Sequence, residues 1–475
     1  MKFAQCHQGQ SRSVLWLLLA ALILCTASCA PKPLDRARLV ATTRDYNVVI
    51  VLLDAAEAGH FSFLGYERDT TPHLKALASE AAVFENAYAQ ASATPLSVLS
   101  IFTSRYPLLE HAPQILGEIG PVLPQDIPSL GSLTAERFVH RLGMSANLWV
   151  SRDFGYGPGF TEFLEVFGDK PGKASRISDL FTAWIDKHHR EQFLAYLHYI
   201  EPHAPYTPPP PHENLFDPQA KGHVYGTDEF LDSCEENAPP DSIQRQVVAL
   251  YDGNLSYADE QVQRVVQALK AKGIWDRTIF VLISDHGEAF WQHGVRGHGR
   301  HSYEEFIRVP LLVRIPDLRD RGRRIKTSVE LIDVLPTILE LADISGDWAE
   351  LQGRSLMNLM LDGDPPEIPP ARIFSRNHEL GELELAMRVG NYKMIQIPVK
   401  KQIMLFDLAS DPMEQRNLFL PDGQGSRAWW IADNMAIELE KWIFATRASW
   451  RIMVAAPDTL DAETIQRLRS LGYLD

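Results

Sequence analysis

The 475-residue chain predicts an α/β fold built on a central, mostly parallel sheet. Three observations predict it. Apolar runs with no polar alternation occur at Asn47–Leu53, Phe193–Tyr199, Thr278–Ile283 and Pro310–Ile315, as expected of parallel strands covered on both faces. Amphipathic helical stretches lie between them, the clearest holding Val262, Val265, Val266 and Leu269 on one face and stopping at Gly273. Carboxylates and imidazoles come directly after several of these runs, at the strand ends where open α/β sheets bind ligands.

Taken in order, the chain begins with an export signal over residues 1–28. It carries Lys2 and Arg12, no acid, and the apolar run Val14–Leu24. Eleven residues rise only about 16 Å as a helix, too little to cross a bilayer. Small residues Thr26-Ala27-Ser28 then precede Cys29, the order of a bacterial lipoprotein signal in which Cys29 becomes the lipidated first residue. A plainly cleaved signal and an uncleaved anchor are the alternatives. Residues 29–45 read as a polar tether and residues 46–365 as the main domain. Pro208–Pro211 is expected to form a stiff loop, and Asp362–Pro370 a linker. Beyond it, short strands at Leu385–Val389, Tyr392–Ile397 and Ile403–Asp407 and a helix over Trp429–Trp442 predict a small α+β subdomain, residues 366–475. Trp429, Trp430 and Trp442 are expected to pack that subdomain.

The net charge of −15 argues against a nucleic-acid partner, which would need the opposite sign. Cysteines 6, 25, 29 and 234 have the spacing of neither a disulfide scaffold nor a CxxC zinc site.

The chemistry gathers at the strand ends. The first run ends on Asp54, the second leads into Glu201-Pro202-His203, and the third into Ser284-Asp285-His286-Gly287-Glu288, with Gly297-His298-Gly299 a little beyond. Singly, such residues serve as helix caps, turns or loop surface. Converging on one sheet edge, carboxylates and imidazoles supply what a divalent metal needs.

With TTPHLKALA (residues 70–78), ASATPLSVLSIFTSRYP (91–107), HYIEPHAPY (198–206), LYDGNLSYADEQV (250–262), TIFVLISDHGE (278–288), YEEFIRVPLLVRIP (303–316), Gln352-Gly353-Arg354-Ser355-Leu356, MRVGNYKM (387–394), FDLASDPMEQRNL (406–418) and LRSLGYLD (468–475), the chain resembles the sulfatase family of the alkaline phosphatase superfamily over residues 45–475. The resemblance implies an alkaline-phosphatase-like α/β sandwich and a metal-assisted, two-step transfer through a covalent enzyme intermediate. It places the nucleophile at Thr94, at a helix N-terminus that also favours an anion. It implies Asp54, Thr94, Asp285 and His286 around the metal, His203 and His298 as groups that contact substrate or protonate the leaving group, and Arg300 as an anion contact.

The chain also departs from the family's pattern. Thr94 stands where sulfatases carry the Cys or Ser that is oxidised to formylglycine, so no formylglycine is expected. Ala55 replaces the second Asp of the metal pair, Glu57 and Gly59 replace the Arg and Asp of the next turn, and Val98 and Ser104 replace an Arg and a Gly. One carboxylate fewer and a His ligand shift the expected single divalent metal ion from Ca²⁺ toward Zn²⁺ or Mn²⁺. A Thr nucleophile resembles that of phosphoethanolamine transferases, which leans the expectation toward phosphoryl chemistry. The expected partners are an anionic sulfate or phosphate ester of a glycan, lipid or small molecule, and a membrane reached through the lipid anchor in the cell envelope. The alternative is a catalytically inactive protein that binds an anionic glycan or lipid headgroup.

Overall fold

The computed structural model describes residues 35–107, 122–168, 173–234, 237–316, 318, 321–346, 348, 350–366, 372–379, 382–420, 423 and 425–447. Residues 1–28, expected to form an export signal, Cys29 and the terminal LRSLGYLD lie outside the described residues.

The main sheet uses β1 (Asn47–Leu53), β2 (Ala82–Tyr88), β3 (His140–Ser145), β4 (Glu162–Glu165), β5 (Phe193–Tyr199), β6 (Thr278–Ser284), β9 (Arg308–Arg314), β10 (Arg324–Ile325) and β11 (Val329–Glu330). Between β6 and β9 a small ribbon pairs β7 (Ala289–Phe290) with β8 (Arg296–Gly297). The order across the sheet is β10-β2-β9-β6-β1-β5-β3-β4, with β11 also on β2. Helices α1 (Arg36–Thr43), α2 (Pro72–Ala78), α3 (Thr94–Thr103), α4 (Lys173–His188), α5 (Asp241–Ala271) and α6 (Val334–Leu341) surround it.

β1 lies at the centre, parallel to both β5 and β6, with all seven residues buried. Its alternate side chains serve two cores, as the period of two requires. Val48, Ile50 and Leu52 join Val98 and Phe102 of α3 and Ile338 of α6. Val49, Val51 and Leu53 join Phe181 of α4 and Val262 and Val265 of α5. Hence the run is apolar throughout rather than alternating. Helix α5 ends as its sequence predicts. Gly273 turns at φ +68°, its N–H reaches Lys270 O, and the N–H of Ile274 reaches Leu269 O.

Two expectations are corrected. The run at Pro310–Ile315 falls in β9, which is antiparallel to both neighbours, β6 and β2. The β7–β8 ribbon and a four-residue helix, Glu304–Ile307, intervene between β6 and β9, too little for a crossover that would carry the chain back to start a parallel strand. Part of the supposed tether is folded: Asp35 caps α1, whose Leu39 is fully buried in the main core. The Pro208–Pro211 run lies in the irregular stretch that precedes α5. It packs on Gly253 of α5, where a Cβ would meet His212 O at 2.6 Å.

At the C-terminal end, β12 (Arg372–Glu379), β13 (Glu382–Val389), β14 (Tyr392–Ile397) and β15 (Gln402–Asp407) form an antiparallel sheet. Helix α7 (Arg427–Arg447) buries Ala432, Met435 and Leu439 against it. Trp442 packs edge-on to Tyr106, 5.0 Å between ring centroids. Trp430 departs from expectation: it lies on the outer face of α7 and is 64% exposed.

A buried charged network ties the loop after β1 to α5. His60 Nδ1 is 2.6 Å from Asp252 Oδ1, and its Nε2 is 3.1 Å from Glu57 Oε2. Arg68 and the Tyr66 hydroxyl donate to the other Asp252 oxygen at 2.7 and 3.0 Å. Burial alone would lower the His60 pKa, but the Glu57 and Asp252 carboxylates outweigh it and push it up to about 10. The folded state therefore binds this proton more tightly than the unfolded chain, whose histidines titrate near ~6.5. This contribution to stability should be complete below that pH and disappear as pH rises through about 10. Denaturant titrations across this range should show the decline, and Asp252→Asn should flatten it while costing about 3 kcal/mol at neutral pH.

Candidate active site

The site lies at the carboxyl ends of β1, β3, β5 and β6, beside the N-terminus of α3. Asp54 comes directly after β1 and Asp285 directly after β6, and both are fully buried. Because β1 and β6 pair in parallel with Leu53 opposite Ser284, the two carboxylates emerge side by side. Thr94 is the first residue of α3, capped by Ala93. Its Oγ1 stands 3.4 Å from Asp54 Oδ1 and 3.2 Å from His286 Nε2. His286 Nε2 lies 3.8 Å from Asp54 Oδ1 and 3.5 Å from Asp285 Oδ2. The structure thus brings together Asp54, Thr94, Asp285 and His286.

The local backbone holds these groups in place. His286 Nδ1 is 2.9 Å from Gly287 O, a pure acceptor, so Nδ1 carries the proton and Nε2 turns a lone pair toward Thr94. Asp285 Oδ1 accepts from the backbone N–H groups of Ala55 and His286 at 3.2 and 3.0 Å. Ala55 adopts φ +54°, a left-handed conformation that aims its N–H at Asp285. Gly287 is required sterically: a Cβ there would meet Glu305 O at 2.0 Å.

Two residues that the sequence did not single out complete the cluster. Asn147 Nδ2 donates to Asp54 Oδ2 at 2.6 Å and reaches Thr94 Oγ1 at 3.4 Å. His198 Nε2 is 2.9 Å from Asp54 Oδ2, and its Nδ1 is 3.0 Å from the Tyr196 hydroxyl. Burial and the charges of Asp285, Tyr156 and Asp54 raise the Tyr196 pKa well above its usual value, so that hydroxyl stays a donor. His198 is hidden inside the apolar run of β5; its signal is its place two residues after Tyr196, on the same face of a strand that ends at the site. Asn147 lies just past β3, whose sequence HRLGMS has no strand-like apolar run.

Burial would raise the Asp54 pKa. The hydrogen bond from His198, with the imidazoles of His203 and His286 nearby, reverses this and holds it below the ordinary carboxylate range. Asp285 Oδ2, by contrast, is buried and accepts no hydrogen bond. An orphaned buried carboxylate oxygen is costly unless a cation meets it. Asp54, His198 and Asp285 present donor atoms within 4.8 Å of one another. The residues therefore fit a divalent metal.

His203 and His298 stand outside this cluster but adjoin it. The His298 ring centroid is 4.4 Å from that of His286 and 4.7 Å from that of His203, so three imidazoles lead outward from the buried cluster. His298 Nδ1 is 3.1 Å from Glu288 Oε1. Burial would raise the Glu288 pKa, but His298, His203 and Arg296 hold it below its usual value. Arg300 is partly exposed and adjoins Gly299, whose N–H reaches Ser92 O at 2.7 Å beside the start of α3.

A buried carboxylate–imidazole cluster thus surrounds a helix-borne hydroxyl at the carboxyl edge of the sheet. A family model described as Sulfatase matches residues 46–344, and one described as N-sulphoglucosamine sulphohydrolase, C-terminal, matches residues 293–440. The chain belongs to the sulfatase family. It is 24% identical over 411 residues to the ulvan-active sulfatase of Formosa agariphila, covering 78% of this chain and 76% of that one. The solved structure of a 2-O GAG sulfatase superposes with a TM-score of 0.70 at 19% identity, covering 87% of this chain and 96% of the other. That of the phosphonate monoester hydrolase of Agrobacterium radiobacter gives 0.68 at 18% identity, covering 85% and 95%.

Asp285→Asn replaces a carboxylate that a cation would neutralise with a neutral amide. The metal content of the purified protein should fall by about one equivalent per chain, read by elemental analysis, with the far-ultraviolet circular dichroism unchanged.

Proposed function

We propose that this protein is an exported, metal-dependent hydrolase or transferase that cleaves a phosphate or sulfate ester through a covalent intermediate on Thr94, with phosphoryl transfer favoured. The single observation that carries this is the position of the Thr94 hydroxyl, between Asp54 Oδ1 and His286 Nε2 at the start of α3. A bound divalent cation would supply Lewis-acid polarisation of the ester oxygens and lower the hydroxyl's pKa. The candidate ligands are Asp54, Asp285, His286 and Thr94, with His198 and Asn147 fixing the outer oxygen of Asp54.

The chain's own groups cover the remaining needs. Thr94 Oγ1 attacks phosphorus or sulfur, and Asp54 Oδ1 is the carboxylate oxygen at hand for its proton. The N-terminus of α3 favours the anion. His298 protonates the departing oxygen, and Glu288 orients its ring. His203 and Arg300 stand at the outer side, where the rest of an anionic substrate would lie. A threonine has a secondary alcohol, which oxidises to a ketone rather than to the aldehyde of formylglycine; this supports direct attack by the hydroxyl. The ulvan-active relative favours a sulfated glycan as the alternative ester. The loss of a second carboxylate at Ala55 favours the other reading, an inactive protein that binds an anionic glycan or lipid headgroup. For localisation, the basic start, Val14–Leu24 and Cys29 support a lipid-anchored protein of the cell envelope.

Matched p-nitrophenyl sulfate, phosphate monoester and phosphodiester, assayed with Zn²⁺, Mn²⁺ or Ca²⁺, test the proposal. Thr94→Ala should lower kcat at least about 10³-fold on the phosphoester, whereas Thr94→Ser should retain turnover. Full activity in Thr94→Ala would remove the hydroxyl from the mechanism. Cleavage of the sulfate alone would overturn the phosphoryl preference.

A further inference from the structure

Away from the active site, at the amino ends of the strands, side chains from two distant stretches of chain converge. His140 opens β3, His188 ends α4, and Glu191 lies in the turn from α4 into β5. His140 Nε2 is 2.8 Å from Glu191 Oε2 and 3.3 Å from His188 Nδ1. One donor atom from each of the three lies within 4.8 Å of the others. The opposite end of β3 leads to Asn147, and a strand of this length spans about 20 Å, so the two clusters are separate. We propose that His140, His188 and Glu191 form a second metal site, which takes a borderline divalent cation such as Zn²⁺.

The spacing is the first argument. With zinc–nitrogen bonds of about 2.0–2.1 Å, two ligands on a tetrahedral ion stand about 3.3–3.4 Å apart. The imidazole nitrogens of His140 and His188 already stand 3.3 Å apart. Glu191 is the closer partner, and its side chain is 58% exposed, so it can retreat by the fraction of an ångström an ion requires.

The surroundings of His188 are the second argument. Trp184 stacks on its ring at 4.5 Å and 25°. The far nitrogen, Nε2, faces Glu162 Oε1 at 3.9 Å, and that oxygen accepts a hydrogen bond from Trp184 Nε1 at 2.7 Å. With Nδ1 on a metal, the Nε2 proton would point at this carboxylate, the outer contact that fixes ligand imidazoles in zinc sites. Burial and the neighbouring His140 lower the His188 pKa, which favours the neutral ring that binds metal. The site also sits at the C-terminus of a 16-residue helix, where the backbone dipole favours a cation. Two nitrogens and one carboxylate suit Zn²⁺, Co²⁺ or Ni²⁺ rather than the all-oxygen preference of Ca²⁺ or Mg²⁺. A bound ion would tie the start of β3 to the α4–β5 turn.

The test uses the full-length chain carrying Asp285→Asn, to remove the contribution of the active site. Metal-free protein is titrated with Co²⁺ and with Zn²⁺, and compared with the same chain also carrying His140→Ala and His188→Ala. The difference expected is one equivalent of metal, together with the visible ligand-field bands of tetrahedral Co²⁺ and a rise in Tm with Zn²⁺ in the first protein only. Equal metal uptake by the two proteins, or no uptake by either, would overturn the proposal. If the double replacement fails to fold, Glu191→Ala on the exposed side should weaken Zn²⁺ binding at least about tenfold; unchanged affinity would count equally against the site. Neither outcome bears on Thr94, because ester cleavage is not the readout.

Discussion

Two carboxylates buried side by side are the constraint on which the rest of this site depends. Asp54 and Asp285 leave adjacent parallel strands in register and have no exposure to water. Like charges within 4.8 Å, at an effective dielectric of about 20, repel by about 3.5 kcal/mol before any cost of dehydration is counted. The neighbouring groups each reduce that cost. Asn147 and His198 meet the outer oxygen of Asp54, and the N–H groups of Ala55 and His286 meet the inner oxygen of Asp285. Only Asp285 Oδ2 is left among the four oxygens without a hydrogen bond, on the side that faces His286. The arrangement is coherent if a cation sits there and hard to justify if none does.

The sheet topology produces that juxtaposition. β1 is the single strand flanked by both β5 and β6, so the residues that leave its carboxyl end must meet those that leave theirs. β3 lies one strand further, beside β5, and delivers Asn147 to the same edge. The return strand β9 runs the other way, which lets residues 285–307 remain at the site edge as one continuous excursion carrying Asp285, His286, Glu288, His298 and Arg300. Glu305, at the end of that excursion, lies against Gly287 at its start, a closure that only a glycine allows.

Most of the site was legible in the sequence, because the apolar runs of β1 and β6 are unmistakable and the residues just past them are charged. Asp54, Asp285 and His286 were readable in this way, Thr94 came only from the family resemblance, and His203 and His298 fall beside them. What failed to show was set by strands that carry little apolar signal. β3 reads HRLGMS, with its first two residues half-buried and polar, so neither the strand nor Asn147 behind it was visible. His198 was concealed for the opposite reason, since a polar residue within a fully buried strand looks like a lapse in an apolar run. Strand direction is likewise not written locally: Arg308–Arg314 has the composition of a buried parallel strand and is antiparallel because no crossover helix precedes it. Trp430 shows the limit of helical spacing as a guide, for its neighbours Ala432, Met435 and Leu439 turn inward while it turns out.

The replacement of a second carboxylate by Ala55 bears directly on what the site can attract. Asp54 and Asp285 together carry two negative charges, which one divalent cation would balance, and the imidazoles of His286 and His198 add none while they are neutral. A further aspartate at position 55 would leave such a centre with net negative charge. The backbone N–H of Ala55 donates to Asp285, and its methyl side chain adds no charge to the centre. A centre close to neutrality, beside the N-terminus of α3 and the His298–His203 pair, repels an incoming anion less than a negative one does. That difference grows with the charge of the incoming ester.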